Sequence, residues 1–370
     1  VFSNADPTIP TPIPVEIDLD AIPDVDMTQH TVPLGDIFFD TFRSTNRAVA
    51  LPSADAQLIR RLRDAIPPLY EPRFETAVSA KWLSEHDFVL GYAAGDEAYA
   101  YPFKILNFHE IASHEVNGIP IMATYCPLCR SGVVYDRRID GEGEPLLFGN
   151  TSALYESDMV MLDHKTGSYW VQVSGEAVVG PLSGTSLTVL PSQTTTWGAW
   201  QAQHPNTLVL SQNTGFDRNY TRDPFSGYRE QLNATERFAF PVTEAVDDPR
   251  LGPGDVVLGV EVGEAVRAYP LEQLGNAAVN DEIGETAVVV FSHERGPTGA
   301  AYLAEVNGRL LTFTFVDDHY QDAETSSQWN LSGRATAGEL AGTQLEPLPV
   351  RSSLWFALIA AFPDLVLHTP

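Results

Sequence analysis

The two cysteines of the chain are three residues apart, in the segment Tyr125-Cys126-Pro127-Leu128-Cys129. Two thiolates at this spacing can converge on one metal ion, at metal–sulfur distances of about 2.3 Å. The same spacing occurs in dithiol/disulfide redox proteins, but there the motif opens a helix, whereas Gly132 and an apolar run follow here. A structural disulfide is a third interpretation, although it would close a loop too short to stabilise the fold greatly.

Two thiolates do not complete a metal site, so further ligands must come from other parts of the chain. His109 is the first candidate, and the adjacent Glu110 can orient its ring. His114 is a weaker candidate. Met159 and Met161 are two residues apart, which places both thioethers on one face of a strand. Thiolate, thioether and imidazole together favour copper, while cysteine with histidine also suits zinc.

An internal repeat divides the chain into two copies of about 120 residues each. Residues 95–102 resemble 263–270, residues 168–170 resemble 327–329, and a series of glycines, prolines and tryptophans follows in both copies. Ser292 and Arg295 stand at the positions of the two cysteines, and Ala277 stands at that of His109. Because these groups are missing together while the glycines persist, we predict that Cys126, Cys129 and His109 form one unit that the fold itself does not need.

The alternation of short apolar runs with glycine and proline predicts an α+β, mostly β fold with two tandem duplicated lobes. We expect an extended N-terminal arm (1–50), a first lobe with the motif (51–235) and a second, degenerate lobe (236–370). Strands are predicted at residues 88–93, 97–101, 119–125, 132–136, 146–148, 159–163, 169–173, 256–262, 264–269, 287–291, 300–306 and 310–316. Helices are predicted at residues 53–63, with Ser53 as N-cap, and at residues 197–204 and 353–361.

Charge excludes several classes of partner. With 22 basic against 49 acidic residues, the formal charge is −27, which argues against nucleic acids and anionic membranes because both require clustered cations. A membrane-spanning helix needs about 18 consecutive apolar residues, and no uninterrupted apolar run in the chain is that long. Three lysines among the basic residues and an acidic surface are typical of a protein exposed to high salt or of an acidic secreted protein.

The chain begins at Val1 without an apolar leader, so we expect a processed protein that is secreted, periplasmic or at the cell surface. The opening segment, rich in proline and aspartate, predicts an arm that lies on the body or joins neighbouring copies into a homo-oligomer or polymer. The main functional hypothesis is an exported metal-binding protein, either a redox enzyme or a carrier of metal or electrons. A filament-forming structural protein and a thiol oxidoreductase are the alternatives, and no substrate can be assembled from spacing alone.

The chain resembles a family of bacterial and archaeal proteins known only as a domain of unknown function. The resemblance rests on Ala-Tyr-Pro at 100–102, on Leu-Asn-Phe-His-Glu-Ile at 106–111, on Tyr-Cys-Pro-Leu-Cys-Arg-Ser-Gly at 125–132 and on Asp-Arg at 136–137. The family pattern has Asn-Asp where this chain has Ser113-His114, so His114 is a substitution relative to that pattern. The resemblance implies homology over residues 60–230 and implies no reaction.

Overall fold

The computed structural model describes residues 17–139, 141, 143–294 and 296–369. Residues 1–16, where the predicted N-terminal arm begins, and Arg295, at a position equivalent to a cysteine, lie outside the described residues.

The strands up to residue 235 are β1 (Ile37–Asp40), β2 (Ala48–Ala50), β3 (Leu69–Tyr70), β4 (Phe74–Thr76), β5 (Phe88–Ala94), β6 (Glu97–Pro102), β7 (Ile111–Val116), β8 (Ile119–Cys126), β9 (Ser131–Ile139), β10 (Phe148–Tyr155), β11 (Asp158–Asp163), β12 (Tyr169–Val171), β13 (Ala177–Val179), β14 (Leu187–Leu190), β15 (Ser192–Thr196) and β16 (Leu208–Leu210). The later strands are β17 (Val256–Val262), β18 (Ala265–Pro270), β19 (Ala277–Ile283), β20 (Thr286–His293), β21 (Thr298–Leu303), β22 (Glu305–Val306), β23 (Arg309–Leu310), β24 (Phe313–Val316), β25 (His319–Asp322), β26 (Gln328–Trp329), β27 (Ala335–Ala337), β28 (Val350–Leu354) and β29 (Val366–Leu367). The helices are α1 (Ala56–Leu62), α2 (Phe103–His109), α3 (Trp197–Gln203), α4 (Tyr228–Thr235), α5 (Leu271–Leu274) and α6 (Trp355–Ala361). Short 3-10 helices lie at Leu19–Ala21, Leu34–Asp36, Leu51–Ser53 and Glu244–Val246.

The two lobes use the same strand orders. In the first lobe β15-β5-β6-β16 are neighbours in one sheet, and in the second lobe β28-β17-β18-β29 follow the same order, each with a parallel last pair. The meander β7-β8-β9 has its counterpart in β19-β20-β21, and β10 to β13 have theirs in β24 to β27. The predicted α+β, mostly β fold class is confirmed. The lobe boundaries stay a prediction.

A nine-stranded sheet joins the two lobes. Its order is β29-β18-β17-β28-β9-β8-β7-β3, with β14 also paired to β9. Within this sheet the two lobes meet at β28 and β9, where Ser352 pairs with Gly132. Strands of the second lobe therefore continue directly into the hairpin that contains the two cysteines.

Equivalent residues of the two lobes make equivalent buried contacts. In the first lobe the Trp170 indole donates to an Asp163 carboxylate oxygen at 3.1 Å, and in the second Trp329 donates to Asp322 at 2.8 Å. Each aspartate also accepts the backbone N–H three residues later, at 2.6 Å in both lobes. These carboxylates close the turns that precede β12 and β26.

Two predicted elements differ from the structure at polar residues, and one helix was not predicted. The strand predicted at 146–148 runs from Phe148 to Tyr155, because polar residues and a register shift between Asn150 and Ala153 obscure its pattern. The first helix is capped by Asp55, whose carboxylate accepts from the N–H of Leu58, and not by Ser53, which ends a 3-10 turn. Helix α2 was not predicted.

Part of the predicted arm is built into the body: β1 pairs with β10 and β2 pairs with β1 in a six-stranded sheet. Across the described part of the chain, no helix has both the length and the apolar composition to cross a membrane.

We expect Asp163→Ala and Asp322→Ala to destabilise the protein by similar amounts, about 3 kcal/mol each, because each leaves an indole N–H and a backbone N–H buried without an acceptor. Urea unfolding at neutral pH measures the free energy of unfolding. The matched Asp→Asn variants retain one acceptor oxygen and should lose less than half as much. Losses under about 1 kcal/mol for both alanine variants would contradict the structural role of these turns.

Candidate metal centre

The cysteine motif is the turn of the β8–β9 hairpin. Cys126 is the last residue of β8 and pairs with Ser131, the first residue of β9. The N–H of Cys129 donates to the Cys126 sulfur at 3.4 Å, which folds the turn around that sulfur. From the second lobe, the N–H of Leu354 donates to the Cys129 carbonyl at 2.8 Å. Both lobes therefore fix the position of the motif.

Asp158 brings a carboxylate to the two sulfurs. Its Oδ1 lies 3.2 Å from the Cys129 Sγ, and the two Sγ atoms are 2.8 Å apart. Its Oδ2 accepts from the N–H of Val173 at 2.8 Å, which orients the carboxylate. The three donor atoms lie within 4.8 Å of one another, and all three residues are buried. This Cys126–Cys129–Asp158 cluster could hold a metal ion.

A tight turn delivers Asp158 to this position. Glu156 and Ser157 both have a positive φ, 49° and 60°, as a two-residue hairpin turn requires. The Glu156 carboxylate accepts the N–H and the hydroxyl of Thr243 at 2.8 and 2.7 Å, so the turn is tied to the segment that leads into the second lobe. Asp158 then begins β11 directly beside the sulfurs.

The cluster concentrates groups that would be negative when ionised. Burial raises the pKa of both thiols above their ordinary value, with Asp158 adding to the effect. Burial also raises the pKa of Asp158, to about 6. Among the described residues, no Lys, Arg or His forms an ion pair with Asp158. Without a bound cation the thiols are therefore protonated at neutral pH.

Glu110 extends the buried acidic region. Its carboxylate accepts a short hydrogen bond from Asn150 Nδ2, which also lies 3.5 Å from the Met159 sulfur. Burial, opposed by Asn150 and reinforced by Asp158, raises the pKa of Glu110 to about 8. The backbone of Glu110 has a φ of 59°, and its carbonyl accepts from the N–H of Tyr125 at 2.7 Å. The sequence-predicted Glu110 and Met159 are thus brought together by Asn150.

His109 is fully buried and both ring nitrogens have partners outside the cluster. Nδ1 lies 2.8 Å from the Pro67 carbonyl, which can only accept, so Nδ1 carries the proton. Nε2 then accepts from the Tyr220 hydroxyl at 2.6 Å. Burial lowers the pKa of His109 to about 4, so the ring is neutral. To ligate a metal through Nε2, His109 would have to release Tyr220; its ligand role stays a prediction.

The other two candidates pack in apolar surroundings. His114 bonds to the Tyr101 hydroxyl at 2.6 Å and contacts the rings of Phe74 and Tyr99, and burial lowers its pKa to about 3. Met161 is fully buried in the large core cluster and is paired across strands with Asn150 and Trp170. Among the described residues, His114 is not part of the Cys126–Cys129–Asp158 cluster, and the ligand role of Met161 stays a prediction.

Sequence reasoning missed Asp158 as a donor. The residue stands directly before Met159, in a segment where only the two methionines were predicted as ligands. A usable signal was present, because a carboxylate directly before a predicted strand is placed beside a turn.

Two cavities differ in their relation to this cluster. A cavity of about 540 Å³ between the lobes is lined by none of Cys126, Cys129 or Asp158. A smaller cleft of about 410 Å³ is lined by Tyr125, Pro127 and Arg130 of the cysteine hairpin. The smaller cleft is therefore the one that borders the candidate metal centre.

Residues 63–365 match the model of a family described as "Protein of unknown function (DUF3179)". No curated protein and no solved structure matches the chain.

We expect Glu110→Gln to change how stability depends on pH in chelator-treated protein. A carboxyl whose pKa is raised from its ordinary 4.5 to about 8 stabilises the fold below the lower value, and that stabilisation is lost as the pH rises through the higher one. The free energy of unfolding of the variant should therefore rise relative to wild type by about 1 kcal/mol per pH unit between pH 5 and 8. Urea unfolding at four pH values measures it.

The matched control for this comparison is Glu115→Gln, which removes an exposed carboxyl from β7. Comparing the two variants separates the contribution of the buried carboxyl from the effect of removing one carboxyl. A Glu110→Gln profile parallel to that of wild type would show that Glu110 is ionised in the folded protein at pH 7.

Proposed function

The chain belongs to this family of proteins of unknown function, and because the family supplies no reaction, we propose a function from the site: it binds one transition-metal ion at Cys126, Cys129 and Asp158. The observation that carries the proposal is the convergence of two sulfurs and one carboxylate oxygen within 4.8 Å in the protein core. Ionising these buried groups together would be costly without a cation, and a bound metal ion offsets that cost.

The ligand set favours a divalent ion. Two thiolates and one carboxylate carry three negative charges, so a 2+ ion leaves one buried net charge, and Cu(I) would leave two. A carboxylate is also a harder ligand than the thioether or imidazole expected from the sequence. We therefore rank zinc before copper, reversing the order predicted from the sequence. The thioether of Met159, reached through Asn150, is the observation that keeps copper as the second candidate.

The ligand set resembles that of a catalytic metal site more than that of a structural metal site. Structural zinc sites have four protein ligands, whereas catalytic and exchangeable sites have three and leave one position for water or substrate. Three donors converge here, and the carboxyl of Glu110, largely protonated at neutral pH, lies in the same acidic region. The proposal is a metal-dependent enzyme or metal carrier with Glu110 as a nearby proton donor. Export to the cell surface or periplasm stays a prediction from the sequence.

A thiol oxidoreductase is the less favourable function for this geometry. Exchange requires an accessible thiolate with a depressed pKa. Here the two cysteines are 0–1% exposed and burial raises the pKa of both. The close approach of the two sulfurs is the one observation in favour of a redox pair.

We expect the purified full-length chain to take up one equivalent of Zn²⁺, and Cys126→Ser, Cys129→Ser and Asp158→Asn each to weaken binding by about tenfold to a thousandfold. Competition with a chromophoric chelator, checked by elemental analysis, measures the affinity for Zn²⁺ and for Cu⁺.

Met161→Leu is the matched control because it changes a buried side chain of the same core without removing a proposed ligand, and it should retain full metal content. His109→Gln discriminates the two ligand sets. Loss of metal with His109→Gln but not with Asp158→Asn would replace the carboxylate by the imidazole. No uptake of either metal by the wild-type chain would refute the proposed function.

Metal uptake should also release about two protons per ion at pH 7.5, one from each thiol, because both thiols are protonated in the metal-free protein. Titration calorimetry in buffers of different ionisation enthalpy counts these protons. A release near zero would mean that the cysteines are thiolates before the metal arrives or do not bind it.

A further inference from the structure

The cleft beside the cysteine hairpin, here called the Arg130 cleft, has a volume of about 410 Å³, within the range of small-molecule sites. Its lining combines aromatic side chains with charged groups. The aromatic residues that line it are Phe88, Phe103, Tyr125, Phe225 and Tyr228.

Arg130 differs from Lys104 and Arg229, the other basic residues named in this cleft, in how it is paired. Its Nη1 is buried without a hydrogen-bond partner, and no ion pair of the described residues involves Arg130. The other two cations are neutralised: Lys104 lies 2.6 Å from Asp87, and Arg229 lies 2.9 Å from Glu272. Partial burial lowers the pKa of Arg130 without removing its charge.

The guanidinium is held in place although it is unpaired. Its Cζ lies 4.4 Å from the centroid of the Phe88 ring, a cation–π contact. Its backbone adopts a φ of 48°, a region that residues with a side chain rarely occupy. In a chain of net charge −27, this positive charge thus lines a cavity without an ion-paired carboxylate among the described residues.

We propose that the Arg130 cleft binds a small organic monocarboxylate with an aromatic or apolar body. A planar guanidinium can pair with a carboxylate through two parallel hydrogen bonds, and the aromatic side chains of the lining would pack against the apolar body of the ligand. A phosphate dianion fits less well, because one free cation faces Asp87, Asp223 and Glu230, which also line the cleft. Neither cysteine nor Asp158 lines it, so the inference stands apart from the proposed metal function.

The test uses the full-length chain and three probes: benzoate, its neutral isostere benzamide, and inorganic phosphate. We expect benzoate to bind, benzamide to bind at least tenfold more weakly, and phosphate not to displace benzoate at equal concentration. Arg130→Gln should weaken benzoate binding at least tenfold. Arg229→Gln is the matched control from the same cleft and should change it less than threefold, because that arginine is already paired. Titration calorimetry measures the affinities.

Several outcomes would overturn the inference. These are no benzoate binding by wild type, equal binding of benzamide, displacement by phosphate, or unchanged binding by Arg130→Gln. If near-ultraviolet circular dichroism shows that Arg130→Gln is misfolded, the comparison of benzoate with benzamide on wild type decides, and Arg130→Lys tests the paired hydrogen bonds. A Cys126→Ser/Cys129→Ser double variant should still bind benzoate, which separates failure of the metal site from failure of the cleft.

Discussion

Two thiols and a carboxyl share one buried point of the structure, and within the described part of the chain no cationic side chain forms an ion pair with the carboxylate. Much of the surrounding fold holds the three groups there. Each would be more stable alone in water when ionised, and burial raises the pKa of all three. The hairpin turn fixes Cys126 and Cys129, and a separate turn at Glu156 and Ser157 delivers Asp158. Separate elements of the fold thus bring three donor groups to one buried position, where a bound cation would be stabilised.

The second lobe lacks the cysteines but holds those of the first in position. Leu354 binds the Cys129 carbonyl, and the Arg351 Nε donates to the Val173 carbonyl at 2.7 Å. The N–H of Val173 in turn holds Asp158, so a chain of hydrogen bonds runs from β28 to the candidate ligand. The second lobe, which lacks the cysteine motif, therefore helps to position the cysteines and Asp158 of the first lobe.

Sequence patterns predicted the parts that depend on local chemistry. The alternation of apolar runs with glycine gave the mostly β class, and the echo of residues 168–170 in 327–329 corresponds to equivalent Trp–Asp contacts. The cysteine pair was identifiable from spacing alone. The contribution of Asp158 depends on how two sheets approach each other, because β11 lies in the six-stranded sheet and the cysteine hairpin in the nine-stranded one, and no local pattern encodes that approach. Helix α2 was missed because its apolar residues are interrupted by few polar ones and it follows directly on a strand.

The joint absence of the cysteines and His109 from the second lobe led to the prediction that the three residues form one unit, and the geometry offers an explanation in which the histidine is not a ligand. His109 is the last residue of α2, and its bond to the Pro67 carbonyl anchors the helix end. The next residue, Glu110, turns there to place its carbonyl on Tyr125 and its carboxyl against Asn150. A histidine that positions this turn would be lost together with the cysteines just as a ligand would, because both serve the same buried cluster.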